Sequence, residues 1–96
     1  MVTHLVLLKL HSEDATPSRR EWVYSLAQPL FDAFPSCQFR WKTPLEHDLE
    51  KWDGLILIEA SHFEEIEQVL NSQHYNRWSQ QVAPFVGCIK GWSFSA

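Results

Sequence analysis

The stretch WDGLILIEA at residues 52–60 runs without a break into SHFEEIEQVL at 61–70, and the change of rhythm near residue 61 decides the fold. Leu55, Ile56, Leu57 and Ile58 form a continuous apolar run, too short for a helix and suited to a strand covered on both faces, within Trp52 to Ala60. Beyond it, Phe63, Ile66, Val69 and Leu70 fall at three- and four-residue spacing, the stripe of an amphipathic helix. Ser61 and Glu64 stand in the Ser-x-x-Glu relation of a capping box, which is expected to open that helix. Asn71 and Ser72 break it, and a second short helix carries Tyr75, Trp78 and Val82 until Pro84 stops it.

Upstream, Val2 to Leu10 is rich in Val and Leu and reads as another strand buried on both faces. His11 to Pro17 is a polar loop. Thr16 can cap the next helix with Pro17 in its first turn, where a missing N–H is no loss. Trp22, Val23, Leu26, Ala27, Leu30, Phe31 and Phe34 draw one apolar stripe along that helix, and Pro35 ends it. Pro29 removes the hydrogen bond to Ser25 and predicts a kink or a detached last turn. Cys37 to Lys42 alternates, with Phe39 and Trp41 on one face and Gln38, Arg40 and Lys42 on the other, as in a half-exposed strand. Thr43 to Lys51 is polar and acidic and reads as a mobile loop. Gly87 to Ser95 closes the chain as a strand, with Cys88, Lys90, Trp92 and Phe94 of one parity and Ile89, Gly91 and Ser93 of the other.

Strand, helix, strand, strand, helix, short helix, strand is the order of an α+β, ferredoxin-like split βαβ protomer: a four-stranded antiparallel sheet with its helices on one face. The other face, with Leu5, Leu7, Trp92 and Phe94, then lacks a cover. A bare apolar face of that size predicts a second sheet packed on it, hence a two-fold homodimer through the sheet face, a dimeric α+β barrel.

Ninety-six residues suffice for a single domain over 1–96, and 45% apolar content with few Gly and Pro excludes a disordered or low-complexity chain. Five Trp, two Tyr and six Phe are a heavy aromatic load for this length and point to a partner or a ligand pocket. A net charge of -4 disfavours nucleic acid and anionic membrane as partners. No run approaches the roughly 20 apolar residues of a membrane span, and MVTHLVLLKLH lacks the basic start and small-residue cleavage site of a signal peptide. Cys37 and Cys88 are read as two small buried hydrophobes rather than a disulfide, and a cytoplasmic location follows by default. There is no phosphate-cradling Gly loop, nucleophile elbow or dinucleotide fingerprint, and no cofactor is expected. His47 with Glu46, Asp48 and Glu50 is the only acidic cluster around a histidine, and it reads as solvated loop rather than a metal site. Arg19 and Arg20 are expected on the solvent face of the first helix, and Arg77 is expected to pair with a carboxylate on the second.

Val-Thr-His-Leu-Val-Leu-Leu-Lys-Leu at 2–10 resembles the first strand of the stress-responsive dimeric α+β barrel (Dabb) family. So does Trp-Asp-Gly-Leu-Ile-Leu-Ile-Glu-Ala at 52–60 with Phe63 to Leu70 and Asn71 to Trp78 behind it. The resemblance spans almost the whole chain, and its most specific element is His4 to Lys9. It implies a ferredoxin-like protomer and a barrel made from two sheets. The family includes stress-induced proteins and a few cofactor-free polyketide cyclases or lyases, in which a first-strand His and a second His after the second helix face a pocket between sheet and helices. His4 matches the first. The second falls on Tyr75, with His74 beside it, while a third-strand His and a helix Tyr of those cyclases correspond to Gly54 and Val69, so a closely similar cyclisation is not implied.

The candidate site is therefore His4 as acid/base with Tyr75 as its partner, and Tyr24, Trp78, Val6 and Leu8 lining the space for a small apolar or aromatic ligand. The alternative is a non-catalytic stress-responsive or accessory homodimer in which Trp22, Trp78 and Phe31 fill that space. A third reading is a cofactor-free monooxygenase, suggested by Asn71 and Trp78.

Overall fold

The structure is a computed structural model that describes residues 1–44 and 52–95. Strand β1 (Val2–Leu10) is followed by a 3-10 turn at Ser12–Asp14, helix α1 (Pro17–Ala33), β2 (Gln38–Lys42), β3 (Gly54–Ala60), α2 (Phe63–Leu70), α3 (Gln73–Val82), a second 3-10 turn at Ala83–Phe85, and β4 (Val86–Ser95). The strands form one antiparallel sheet in the order β2-β3-β1-β4. This is the ferredoxin-like order expected from the sequence, with β2 and β4 at the edges.

Directly opposed residues share a face, so the register sorts the side chains. Leu5 lies opposite Leu57 and Trp92, and Leu7 opposite Leu55 and Lys90. His4 lies opposite Ile58 and Ser93, and Val6 opposite Ile56 and Gly91. The His4 parity faces the helices, where Val6, Leu8, Leu10, Ile56 and Ile58 pack with Val23, Ala27 and Leu30 of α1, Ile66 and Val69 of α2, and Trp78 and Val82 of α3. Trp78 is fully buried, and its indole Nε1–H donates to the carbonyl of Val23 at 3.1 Å, joining α3 to α1.

Among the described residues, no layer lies over the other face. Trp92 is 48% exposed and Phe94 46%, while Leu5, Leu7, Leu55 and Leu57 are half-buried by their own neighbours in the sheet. The expectation that β1 and β3 are buried on both faces therefore fails for a single protomer, because among the described residues only the helix side carries a second layer.

Local signals fared unevenly. Thr16 caps α1, accepting from the Arg19 amide at 3.1 Å, with Pro17 in the first turn as predicted. Ser72 caps α3 through the Tyr75 amide. The capping box at Ser61 does not form: the N-cap of α2 is His62, without a side-chain cap, because the helix begins one residue later than the box requires. Glu64 and Glu65 still place negative charge at its positive end. Helix α1 continues through Pro29 and no last turn splits off. Ser25 and Pro29 are both exposed, so water can take the carbonyl that the proline leaves unpaired.

Candidate functional site

His4 projects from β1 onto the helix side, near the β4 edge, and is 8% exposed. Its Nδ1 lies 2.6 Å from the hydroxyl of Ser93, the residue directly opposite. A Cβ at Gly91 would approach Nε2 to 3.0 Å, so the absent side chain makes room for the ring to lie across β4. Burial lowers the imidazole pKa from its ordinary value, which favours the neutral ring. In the tautomer that donates Nδ1–H to Ser93, Nε2 is left with a lone pair, the form a general base requires.

Tyr75 is half-buried on α3, its ring tilted against Trp78 with centroids 5.8 Å apart. Burial raises its phenol pKa, so it can donate a proton or a hydrogen bond but does not ionise near neutrality. His4 is hydrogen-bonded to Ser93, and Tyr75 packs on Trp78. Val6 and Leu8 are fully enclosed in the core. Tyr24 stacks on Trp41 at 5.4 Å, and Phe31 stacks on Phe39 at 4.7 Å, forming an aromatic wall between α1 and β2. Gly54 matters to that wall, because a Cβ there would collide with the Trp41 ring lying over β3.

Two clefts are lined wholly by described residues. One, of about 360 Å³, lies between Pro17, Arg20, Glu21 and Tyr24 of α1 and Trp41, Thr43 and Pro44. The other, of about 170 Å³, lies between α1 and α3, with Trp78 and Leu30 meeting His74, Arg77 and Gln81. Tyr24 lines the first and Trp78 the second; His4, Tyr75, Val6 and Leu8 line neither. Val6, Leu8 and Trp78 belong to one buried cluster against which Tyr75 packs, while Tyr24 stands at the larger cleft.

Arg20 and Asp53 were missed as a unit. Asp53 is buried, accepts from the Leu10 amide at 2.7 Å through Oδ2, and takes Nε and Nη2 of Arg20 on Oδ1, each at 2.9 Å. The pair ties α1 to the end of β1, where the β1–β4 register shifts between Lys9 and Leu10. Arg20 therefore does not simply face solvent. Neither does Arg19, whose guanidinium sits 3.9 Å from the Phe85 ring centroid and 4.8 Å from that of Trp22. Arg77 forms no ion pair among the described residues and faces the smaller cleft instead of a carboxylate on α2. Gly91 and Ser93 were legible as the parity opposite Trp92; their position beside His4 required the register.

Both cysteines are free. Cys37 is buried and burial pushes its thiol pKa up, whereas Cys88 is only half-buried because it lies opposite Lys9 on the open face. His47, Glu46, Asp48, Glu50 and the loop assigned to them fall outside the described residues. Among the described residues, no helix is long and apolar enough to cross a membrane.

No protein-family model matches the chain, and no curated protein matches it. Solved structures do. A dimeric ferredoxin-like protein of unknown function from Thermobifida fusca superposes with a TM-score of 0.82 at 14% identity, covering 99% of this chain and 90% of that one. A Dabb family protein with a ferredoxin-like fold from Mesorhizobium loti gives 0.78 at 12% identity, covering 99% and 95%. This chain has the fold of a Dabb-type domain. An antibiotic biosynthesis monooxygenase shares it, at a TM-score of 0.69 and 13% identity over 100% and 98% of the two chains. The Dabb-type fold thus carries more than one activity name, and at these identities the likeness speaks for the fold alone.

Proposed function

We propose that the protein works as a homodimeric Dabb-type barrel that binds a small apolar or aromatic molecule on the helix side of each sheet. The observation that carries the assembly is the open face, where Trp92 and Phe94 stand half-exposed beside Leu5, Leu7, Leu55 and Leu57. A second copy packed sheet to sheet covers those side chains, and structural neighbours described as dimeric support a homodimer. The stacked Tyr24–Trp41 wall beside the larger cleft supports binding of a flat ring.

In this reading His4 is the acid/base group of a cofactor-free cyclase or lyase. Its buried, neutral imidazole can take a proton on Nε2 from a carbon acidified by a neighbouring carbonyl, and Ser93 holds the ring. A specific observation favours the non-catalytic alternative: Trp78 is fully buried in the core and Tyr75 packs against it. The monooxygenase reading rests on neighbours that carry that name.

Sedimentation equilibrium tests the assembly. The wild type is expected as a dimer at micromolar concentration and Trp92→Glu as a monomer; a monomeric wild type would overturn the proposal. Turnover of a linear poly-β-keto thioester by wild type and His4→Ala tests the catalytic part, and undiminished turnover in the variant removes His4 from it.

A further inference from the structure

The open face is basic as well as apolar. Arg40 is answered by Glu59 at 3.6 Å, but among the described residues Lys9, Lys42 and Lys90 have no ion-pair partner. All three are exposed and lie at one end of the face: Lys42 and Lys90 close the register row Lys42–Leu55–Leu7–Lys90, and Lys9 is one pair further along β1. Lys9 lies opposite Cys88 and Lys90 opposite Leu7, so these two lysines are same-face diagonal neighbours, roughly 7–8 Å apart at their Cα atoms. Like charges so placed repel, and the one acid on this face among the described residues, Glu59, is already taken by Arg40.

A second sheet laid on this face, at the usual spacing of about 10 Å, takes water from the lysine end. Apolar contact alone leaves those ammonium groups without counter-charge. We infer that the assembled dimer binds a polyvalent oxyanion at the Lys9–Lys90 pair of its sheet faces, with Lys42 at the opposite edge adding to the field, so that the anion is part of the interface. This rests on the sheet-to-sheet homodimer proposed above. The ligand class is a small tetrahedral dianion of the sulfate or phosphate type, which several lysine donors can share as a point-charge site.

The test is the dimer dissociation constant by sedimentation equilibrium at fixed ionic strength, in chloride and with about 5 mM sulfate or inorganic phosphate, too dilute to act through general exclusion from the surface. The wild type is expected to dimerise about tenfold more tightly with the oxyanion. Lys9→Met with Lys90→Met is expected to abolish the difference and to tighten the dimer in chloride; Lys90→Gln alone, a mild exposed change, should halve the response on a logarithmic scale. Equal constants for the wild type in the two buffers overturn the inference and leave the homodimer standing. A wild type that stays monomeric in both overturns the homodimer as well.

Discussion

His4 can lie flat against β4 because the residues it meets there are Gly91 and Ser93. Its burial has a thermodynamic consequence. The folded-state pKa is lowered, so on acidification the unfolded chain binds a proton at this histidine before the folded one does. Stability from the neutral ring is complete above the unfolded value of 6.5 and is lost as pH falls below it, levelling off once the folded form also protonates. Urea unfolding of wild type and His4→Gln between about pH 5 and 8 should therefore converge in slope above the ordinary histidine range and diverge below it, with the wild type losing more. Parallel curves would show that the ring gains no proton preference from its surroundings. At this scale the sequence was a partial guide. His4 stood out because it interrupts an apolar strand, whereas Asp53 and Arg20 did not, because their pairing spans the end of β1 and the first turns of α1 and no local pattern connects residues 33 apart.

At the scale of elements, periodicity was the readable signal. The strands and all three helices follow from spacing, because each must bury a stripe or a face against the same core. Caps were less readable, since a cap depends on where the chain leaves the previous strand. Ser72 bonds the Tyr75 amide at 3.1 Å, while Ser61 lies outside the helix it was expected to begin. Ser72→Ala is accordingly expected to cost about 1 kcal/mol and Ser61→Ala no more than a few tenths, measured by chemical denaturation. Equal losses would show that α2 is capped from Ser61 after all. Pro29 teaches a related lesson: a proline read as a break becomes a tolerated interruption when the carbonyl it strands is exposed. Trp41 was legible as part of the apolar face of a strand, but its place over Gly54 was not, because that contact runs diagonally across β2 and β3.

For the whole molecule, element order specified the sheet and left one side of it bare, and the open face follows directly from the parity of β1 and β4. The candidate site was less accessible to sequence. Tyr24 and Trp78, assigned to one pocket from their faces alone, line two different clefts, since a face fixes the direction of a side chain but not its neighbours. If folding and pairing are linked, the apparent melting temperature must depend on protein concentration, rising by about 3 °C for each tenfold increase in a domain of this size. A concentration-independent transition in scanning calorimetry would contradict that linkage.

Strand β4 runs for ten residues along an outer margin of the sheet. Its outward amides and carbonyls form a long rail, broken in register near Gly87, and Lys90 is its only charged residue. Such a rail can recruit a strand from any neighbouring molecule. Separated subunits should therefore be lost to fibrous or amorphous growth through this margin sooner than to unfolding, and a charge introduced at an outward backbone-flanking position such as Ser95 would slow that loss without touching the core.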